Sequence, residues 1–475
     1  MNVNTTTYKK YMRKLFSLCL VLGTLISTGY TQTKDTAKYA FTLQQAIDYA
    51  LKNQYSMKNA SLDEAIANAK VGETRGIGLP QIGGSIQYTN NDPLRAMFFS
   101  TGGGFFAPGS PFAGLLPPGI PANSIVAIPN IFQLPVGADA GATISQMIFN
   151  SSYIVGLQAA KTYRELSSRA TEQTKIQITE AVTKAYYMVL VSQERLELFN
   201  DNVARLDSSL NQTKTMYHQG TVEKTDVDRL QVTYNTIFST RENFKNLLTL
   251  SNVLLKYQMS MTLSTDLSLT EKIADLKVDP AAVNQQMNYS NRIEYSLLQT
   301  QKRLNELNLR NNRLSFLPNL SAFANVGEFT QNTKTSGITD PKLWYDYGLF
   351  GVTMNVPIFD GFQKSYRVQQ NKLALQKSQN DLSNLELSID VQIKTAEITL
   401  ANSLTTLEAQ NKNMGLASEV ARSTKAKYGA GVGSSLEVNT AENALVDAQT
   451  SYFGALYDAL VAKVDYQKAI GKLNK

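Results

Sequence analysis

The chain has 475 residues, 43% hydrophobic and 18% charged, with a formal net charge of +7, a length that suits one large domain or several small ones. Lys9, Lys10, Arg13 and Lys14 fall within the first 32 positions with no acid among them, so the rest carries only +3 (7 − 4), which speaks against a nucleic-acid-binding protein. One cysteine, Cys19, and one histidine, His218, provide no zinc-ligand set and no disulfide.

The first predicted element is a leader. The basic cluster precedes an apolar run from Leu15 to Ile26 and then Ser27-x-Gly29, the pattern of a cleaved secretory signal peptide over residues 1–32. The run is too short to span a bilayer. Cys19 lies inside it, and Leu18 before that Cys does not suit lipidation.

Phe41 to Gly76 follows helix spacing, with Leu43, Ala46, Ile47, Ala50 and Leu51 on one stripe, and Leu79-Pro80 ends it. Ile82, Ile86 and Tyr88 then alternate with Gln81, Ser85 and Gln87, which predicts a strand over about 81–89. Asn90 to Pro135 is rich in Pro, Gly and Phe and reads as a long loop. Its Phe98, Phe99, Phe105, Phe106 and Phe112 suit plugging a pore mouth or contacting surface lipid. A second alternating run, over about 140–149, leads into a long helix. Val182, Val189, Leu196, Val203, Leu210 and Tyr217 form a strict heptad ladder there, broken at Gly220. Helical periodicity resumes from Thr221 to Met261, and Ser264 to Pro280 reads as a connector.

The plan then repeats. A helix over about Asn291–Ser315 stops at Leu317-Pro318, and a strand is expected over about 319–327. After a polar loop from Glu328 to Lys342, Phe350, Val352, Met354, Val356 and Ile358 mark a strand over about 347–359. Trp344, Tyr345 and Tyr347 beside it suit an interfacial aromatic girdle. A second ladder runs Ile393, Leu400, Leu407, Met414, Ala421, Tyr428, with Gly431 after it and a return helix to near Lys472. Its rungs are displaced from the first by a constant 211 (428 − 217). An internal duplication follows, with one repeat over 33–275 and the other over 276–475.

A helix from 150 to 217 is about 100 Å long, so its stripe must be buried against other rods rather than in a globular core. Four strands with one apolar face leave open edges that lipid cannot satisfy, and four are too few to close a barrel. Several copies must pool their strands.

In these features the chain resembles the TolC-like outer-membrane efflux proteins. The residues that carry the resemblance are the paired Leu79-Pro80 and Leu317-Pro318, the strand exit Pro357-Ile358-Phe359-Asp360-Gly361, and the tips Tyr217-His-Gln-Gly220 and Tyr428-Gly-Ala-Gly431. It extends from about Phe41 to Lys472. The resemblance implies an α+β membrane protein: a homotrimer whose protomers each give four strands to a shared twelve-stranded β-barrel. Antiparallel coiled-coil hairpins would continue it as a periplasmic α-barrel tunnel. Such a duct passively conducts drugs, metals, small molecules or polypeptides. Its partners are outer-membrane lipid, a periplasmic adaptor (membrane fusion) protein and an inner-membrane pump of RND or ABC type.

The resemblance also places Tyr217, Gly220, Val222, Tyr428, Gly431 and Leu436 where adaptor tips dock. Pro80, Pro318, Pro357, Asp360 and Gly361 mark where strands start and end. Asp226, Asp228 and Glu437 lie one or two turns beyond the tips; they suit either a carboxylate ring at a constriction or solvated helix starts. No catalytic residue, metal or cofactor is expected. His218 has no nucleophile partner, and Gly429-x-Gly431-x-Gly433 lacks the strand and Lys of a phosphate loop. The alternatives are a secreted periplasmic coiled-coil scaffold or adaptor without a channel, and a surface-acting enzyme.

Overall fold

The computed structural model describes residues 38–102, 104–106, 110–116, 118–121, 123–130, 132–273 and 288–473. The expected leader, with Cys19, lies outside the described residues, as does part of the expected connector.

The first half opens with β1 (Lys38–Phe41), α1 (Leu43–Asn53) and α2 (Tyr55–Gly76). One helix was expected here, and the structure divides it. Thr42 and Gln45 form a reciprocal capping box at the start of α1. Gln54 then adopts extended backbone between the two helices (ψ 134°). The break lets α1 bury Ala46, Ile47 and Ala50 in the core while α2 runs along the neighbouring rod. Neither Gly nor Pro marks the position, so periodicity alone reads across it.

β2 (Gln81–Asn90), β3 (Ala96–Ser100), β4 (Ile125–Pro129) and β5 (Val136–Phe149) follow. The stretch expected to be loop therefore contains an antiparallel hairpin, β3–β4. Then come α3 (Ser151–His218), α4 (Lys224–Gln258) and β6 (Asp266–Leu269). β6 pairs in parallel with β1, so both ends of the first half meet at the middle of the molecule. The second half comprises α5 (Ile293–Leu314), β7 (Asn319–Asn332), β8 (Tyr345–Asn355), α6 (Gln363–Gly429) and α7 (Ser435–Ala469). Corresponding rods have almost the same length: α2 and α5 have 22 residues each, α3 has 68 against 67 in α6, and α4 and α7 have 35 each.

β2, β5, β7 and β8 form one antiparallel sheet in that order. β5 starts earlier and β7 ends later than expected, shortening the second loop. β8 stops at Asn355 rather than near 359. Asn355 pairs with Asn319, the first residue after Pro318, so the partner strand ends there. Pro357, which has no N–H to donate, closes the ladder.

The two faces of this sheet differ. Ile82, Ile144, Ala324 and Phe350 sit in one row across all four strands. Ile86 and Phe350 on this face are each 88% exposed in the single chain. The opposite face carries Gln81, Ser85, Gln87, Thr143, Ser145, Asn325 and Thr353. Tyr347 belongs to this second face. A Cβ on Gly141 or Gly327 would stand 2.6 Å or 2.9 Å from its hydroxyl, so the ring lies over both glycines. Tyr345 and Tyr347 share a parity opposite to Phe350, so both belong to the face that carries Thr353 and not to the face of Ile86. Trp344 precedes the strand and donates its Nε1–H to the Ile338 carbonyl (2.9 Å).

Below the sheet the upper rods lie side by side in the order α2–α3–α5–α6, matching the strand order. The largest core is at mid-height, where α1, α3, α4 and α7 converge on Val182, Tyr186, Val189, Leu255, Met259, Phe453 and Leu460. Tyr186 donates to the Phe41 carbonyl (3.1 Å), pinning β1 to α3. No helix among the described residues is long and apolar enough to cross a membrane.

Candidate functional site

The α3–α4 and α6–α7 hairpins end in the same turn. At the first tip, Gly220 takes φ 74°; its N–H bonds the Tyr217 carbonyl (2.9 Å), and the Thr221 N–H bonds that of Met216 (3.0 Å). At the second, Gly431 takes φ 76°, with Gly431 to Tyr428 and Val432 to Lys427 both at 3.0 Å. This is the Schellman closure, and its left-handed residue is why glycine stands at both positions. The return helices are capped in turn: Glu223 and Asp226 form a capping box, and Ser434 accepts from the Glu437 N–H (3.2 Å).

The docking residues named from the sequence cluster here. Tyr217, Gly220 and Leu436 are exposed, while Val222 and Tyr428 are half-buried. Tyr428 turns its hydroxyl toward Thr213 Oγ1 (3.4 Å) and packs on Leu210, Leu230 and Val438. The three acids have different surroundings. Asp228 and Glu437 are exposed. The Asp226 carboxylate accepts from the Glu223 N–H and the Ser435 hydroxyl and lies 3.6 Å from the Arg229 guanidinium. Its Oδ1 thus joins the two tips while its Oδ2 caps α4.

Further from the tips, more polar bonds join the hairpins. The Thr233 hydroxyl donates to Asn439 Oδ1. Arg205 Nη2 donates to Glu442 Oε2 (3.0 Å) and to Asn202 Oδ1 (2.9 Å), and Asn202 Nδ2 donates to Gln449 Oε1 (2.6 Å). Glu442 is only 2% exposed. None of Arg205, Asn202, Glu442 or Gln449 was named from the sequence, yet a signal exists. Ser435, Glu442 and Gln449 are seven apart, so polar side chains recur at one core position of α7. Polar groups at such positions fix register and partner at a cost in stability.

Nearer mid-height, Glu180, Lys184, Asp465 and Lys468 link α3 to α7, with Lys184–Glu180 at 2.8 Å and Lys468–Glu180 at 2.7 Å. Burial works to raise the Glu180 carboxyl, but hydrogen bonds and charge from Lys184 and Lys468 outweigh it and hold it below its ordinary value. For Lys184 burial works downward, and its bonds to Asp465 and Glu180 prevail and raise it.

The strand-end residues set the junctions between sheet and rods. Leu79 and Leu317 close turns on Gly76 (3.0 Å) and Leu314 (3.0 Å) before Pro80 and Pro318 begin the sheet. Pro357 ends it, and Gly361 (φ 64°) turns the chain into α6 while Asp360 accepts from the Lys364 N–H (3.1 Å). Asn150 does the same for α3, accepting from Tyr153 (3.0 Å).

The sequence profile of the outer membrane efflux protein family matches residues 46–253 and 296–472. The chain is 24% identical over 345 residues to outer membrane protein TolC of Vibrio cholerae, covering 71% of this chain and 77% of that one. It is 22% identical over 478 residues to TolC of Escherichia coli, covering 98% and 87%. In three dimensions it superposes on the Campylobacter jejuni CmeC outer membrane channel with TM-score 0.69 and 14% identity, covering 94% of this chain and 90% of that one.

Proposed function

The chain belongs to the outer membrane efflux protein family and sits in the outer membrane with its helical part in the periplasm, and from this we propose that it is the passive exit duct of a tripartite export system. The observation that carries the reading is the sheet β2-β5-β7-β8, one face of which is exposed and apolar up to the Ile86 row, where Glu328 and Asp346 begin its loop end, and which leaves β2 and β8 with open edges. Three copies joined β8 to β2 make a closed barrel of twelve strands with no edge left and the apolar face toward lipid. The edge rods support the same joining: Leu62 and Ile66 of α2, Leu250, Leu254 and Tyr257 of α4, and Leu387, Val391, Ile398, Leu416 and Val420 of α6 are all exposed in the single chain. The matching element order and lengths of the halves support an internal duplication, with repeats over 33–275 and 276–475. A coiled-coil scaffold without a channel leaves the apolar sheet face unexplained.

In this reading the tips meet a periplasmic adaptor through Tyr217, Val222, Tyr428 and Leu436 around Gly220 and Gly431. An inner-membrane pump of RND or ABC type supplies the energy. Asp228 and Glu437, exposed beside the tips, are the acids available to line a constriction, while Asp226 holds the two tips together. The test is the native mass of the detergent-extracted protein from separated outer membranes. Three chains per particle are expected; a soluble monomer would sink the proposal. Asp228→Ala with Glu437→Ala is expected to reduce the cation preference of the reconstituted channel, and unchanged selectivity would remove these acids from the constriction.

A further inference from the structure

The segment joining β2 to β5 contains no Asp, Glu, Lys, Arg or His from Ala96 to Ala138, a run of 43 residues (138 − 96 + 1) between Arg95 and Asp139. Its described residues are nevertheless folded. Phe106, Val126 and Ile128 are buried on one side of the β3–β4 hairpin, and the Phe99 and Phe106 rings meet edge to face at 5.3 Å. Thr101 ties the two limbs together, its N–H bonding the Ser124 carbonyl (2.8 Å) and its hydroxyl accepting from the Ser124 N–H (2.9 Å). The other side of the hairpin presents Phe98 and Ile125, 74% and 76% exposed. Past β4, Gln133 and Leu134 line a hollow of about 330 Å³ together with Gln87, Thr89, Asp139 and Tyr347. Those four share the polar face of the sheet, so the returning limb stands beside the side that would face the pore of the barrel proposed above.

We propose that the β3–β4 hairpins of three copies meet over the barrel mouth and close it through Phe98 and Ile125. The inference rests on the trimeric barrel proposed above. Twelve strands about 4.8 Å apart and tilted about 40° give a backbone radius of about 12 Å, whereas a hairpin arm of this length extends about 17 Å. Each arm is therefore long enough to reach the axis from the rim. At a threefold axis every residue faces its own copies, so any charge would repel itself; the uncharged run removes that repulsion. An apolar face held over a water-filled mouth is unfavourable unless covered. Lipid lies beyond the barrel wall, whereas the same faces of the two other hairpins lie within reach.

Phe98→Cys in the purified full chain tests the contact, since Cys19 stands in the expected leader. Oxidation is expected to give disulfide-linked pairs of chains within a particle of trimeric mass. Chains that stay unlinked inside an intact trimer would overturn the inference. A particle that is not a trimer would overturn the barrel reading, and this inference with it. A second measurement places a reporter on the polar face with Thr353→Cys and labels intact cells with a polymer-linked maleimide too large for general porins. Adding Phe98→Asp and Ile125→Asp is expected to speed labelling about tenfold by wetting an apolar constriction. An unchanged rate with the trimer intact would also overturn the closure.

Discussion

At Glu442 a carboxylate is almost wholly removed from water and depends on one guanidinium, that of Arg205. Removing one partner of a buried pair leaves the other uncompensated, at about 3 kcal/mol. Arg205→Ala is therefore expected to lower the melting temperature of the purified protein clearly, and Glu442→Gln to lower it less because an amide can still accept a bond. Circular dichroism melting of the two variants checks the order. The Glu180–Lys184 cluster makes a prediction about pH. The Glu180 carboxyl is depressed in the fold, so its contribution is present above its ordinary value of 4.5 and is lost as pH falls through the lower folded value. Lys184 is raised, so its contribution is present below 10.5 and is lost as pH rises through the higher folded value. Melting temperature should fall on both sides of that window, and Glu180→Gln should flatten the acid limb. At the tips, Gly220 and Gly431 both hold positive φ, where a side chain costs about 1–2 kcal/mol. Replacing both with Val is expected to block export without dispersing the proposed trimer, as read by an efflux assay alongside native mass.

For the strands, face decides the effect of a charge. Phe350→Arg on the apolar face is expected to destabilise the proposed barrel by about 2–4 kcal/mol, and Thr353→Arg on the opposite face by far less. Urea unfolding in lipid vesicles separates the two. Equal losses would mean that the faces have been assigned the wrong way round. Most elements of this kind are legible in the sequence because their signals are local: alternation gives the four sheet strands, heptads give the rods, and Tyr-x-x-Gly gives both tips. What was not legible depends on distance or on weak local marking. β1 and β6 pair across 228 positions (Lys38 with Asp266), which no window detects. β3 and β4 are apolar on both faces, so alternation vanishes. Gln54 breaks a helix that its neighbours would continue. The Arg205–Glu442 and Asn202–Gln449 bonds were missed because each polar side chain alone resembles a solvated one; only the seven-residue recurrence on α7 sets them apart.

Over the whole molecule, the near-identity of the rods matters more than any single contact. Fifteen Å more or less at one tip would break the Asp226–Ser435 and Thr233–Asn439 bonds, since at about 1.5 Å per residue that is a shift of ten residues. The Ser and Thr hydroxyls that bond back to the carbonyl four residues earlier, such as Thr162, Thr174, Thr183, Thr215, Thr236 and Thr240, recur along α3 and α4. Such bonds bend helices slightly, which would suit the winding of rods around the axis of the proposed trimer.

The near-equal lengths of α3 and α6, and the equal lengths of α4 and α7, make the molecule a ruler whose graduations come in fours. A deletion of seven residues keeps the apolar stripe in phase, but taken in one rod alone it strands the opposite side of its hairpin. Taken in all four, it withdraws both tips together by about 10 Å and leaves every contact between them in place. The reach of the molecule can therefore change only by matched steps in both halves. In the proposed duct, the gap to be bridged is recorded in the sequence as the number of heptads between Asn150 and Gly220, and again between Gly361 and Gly431.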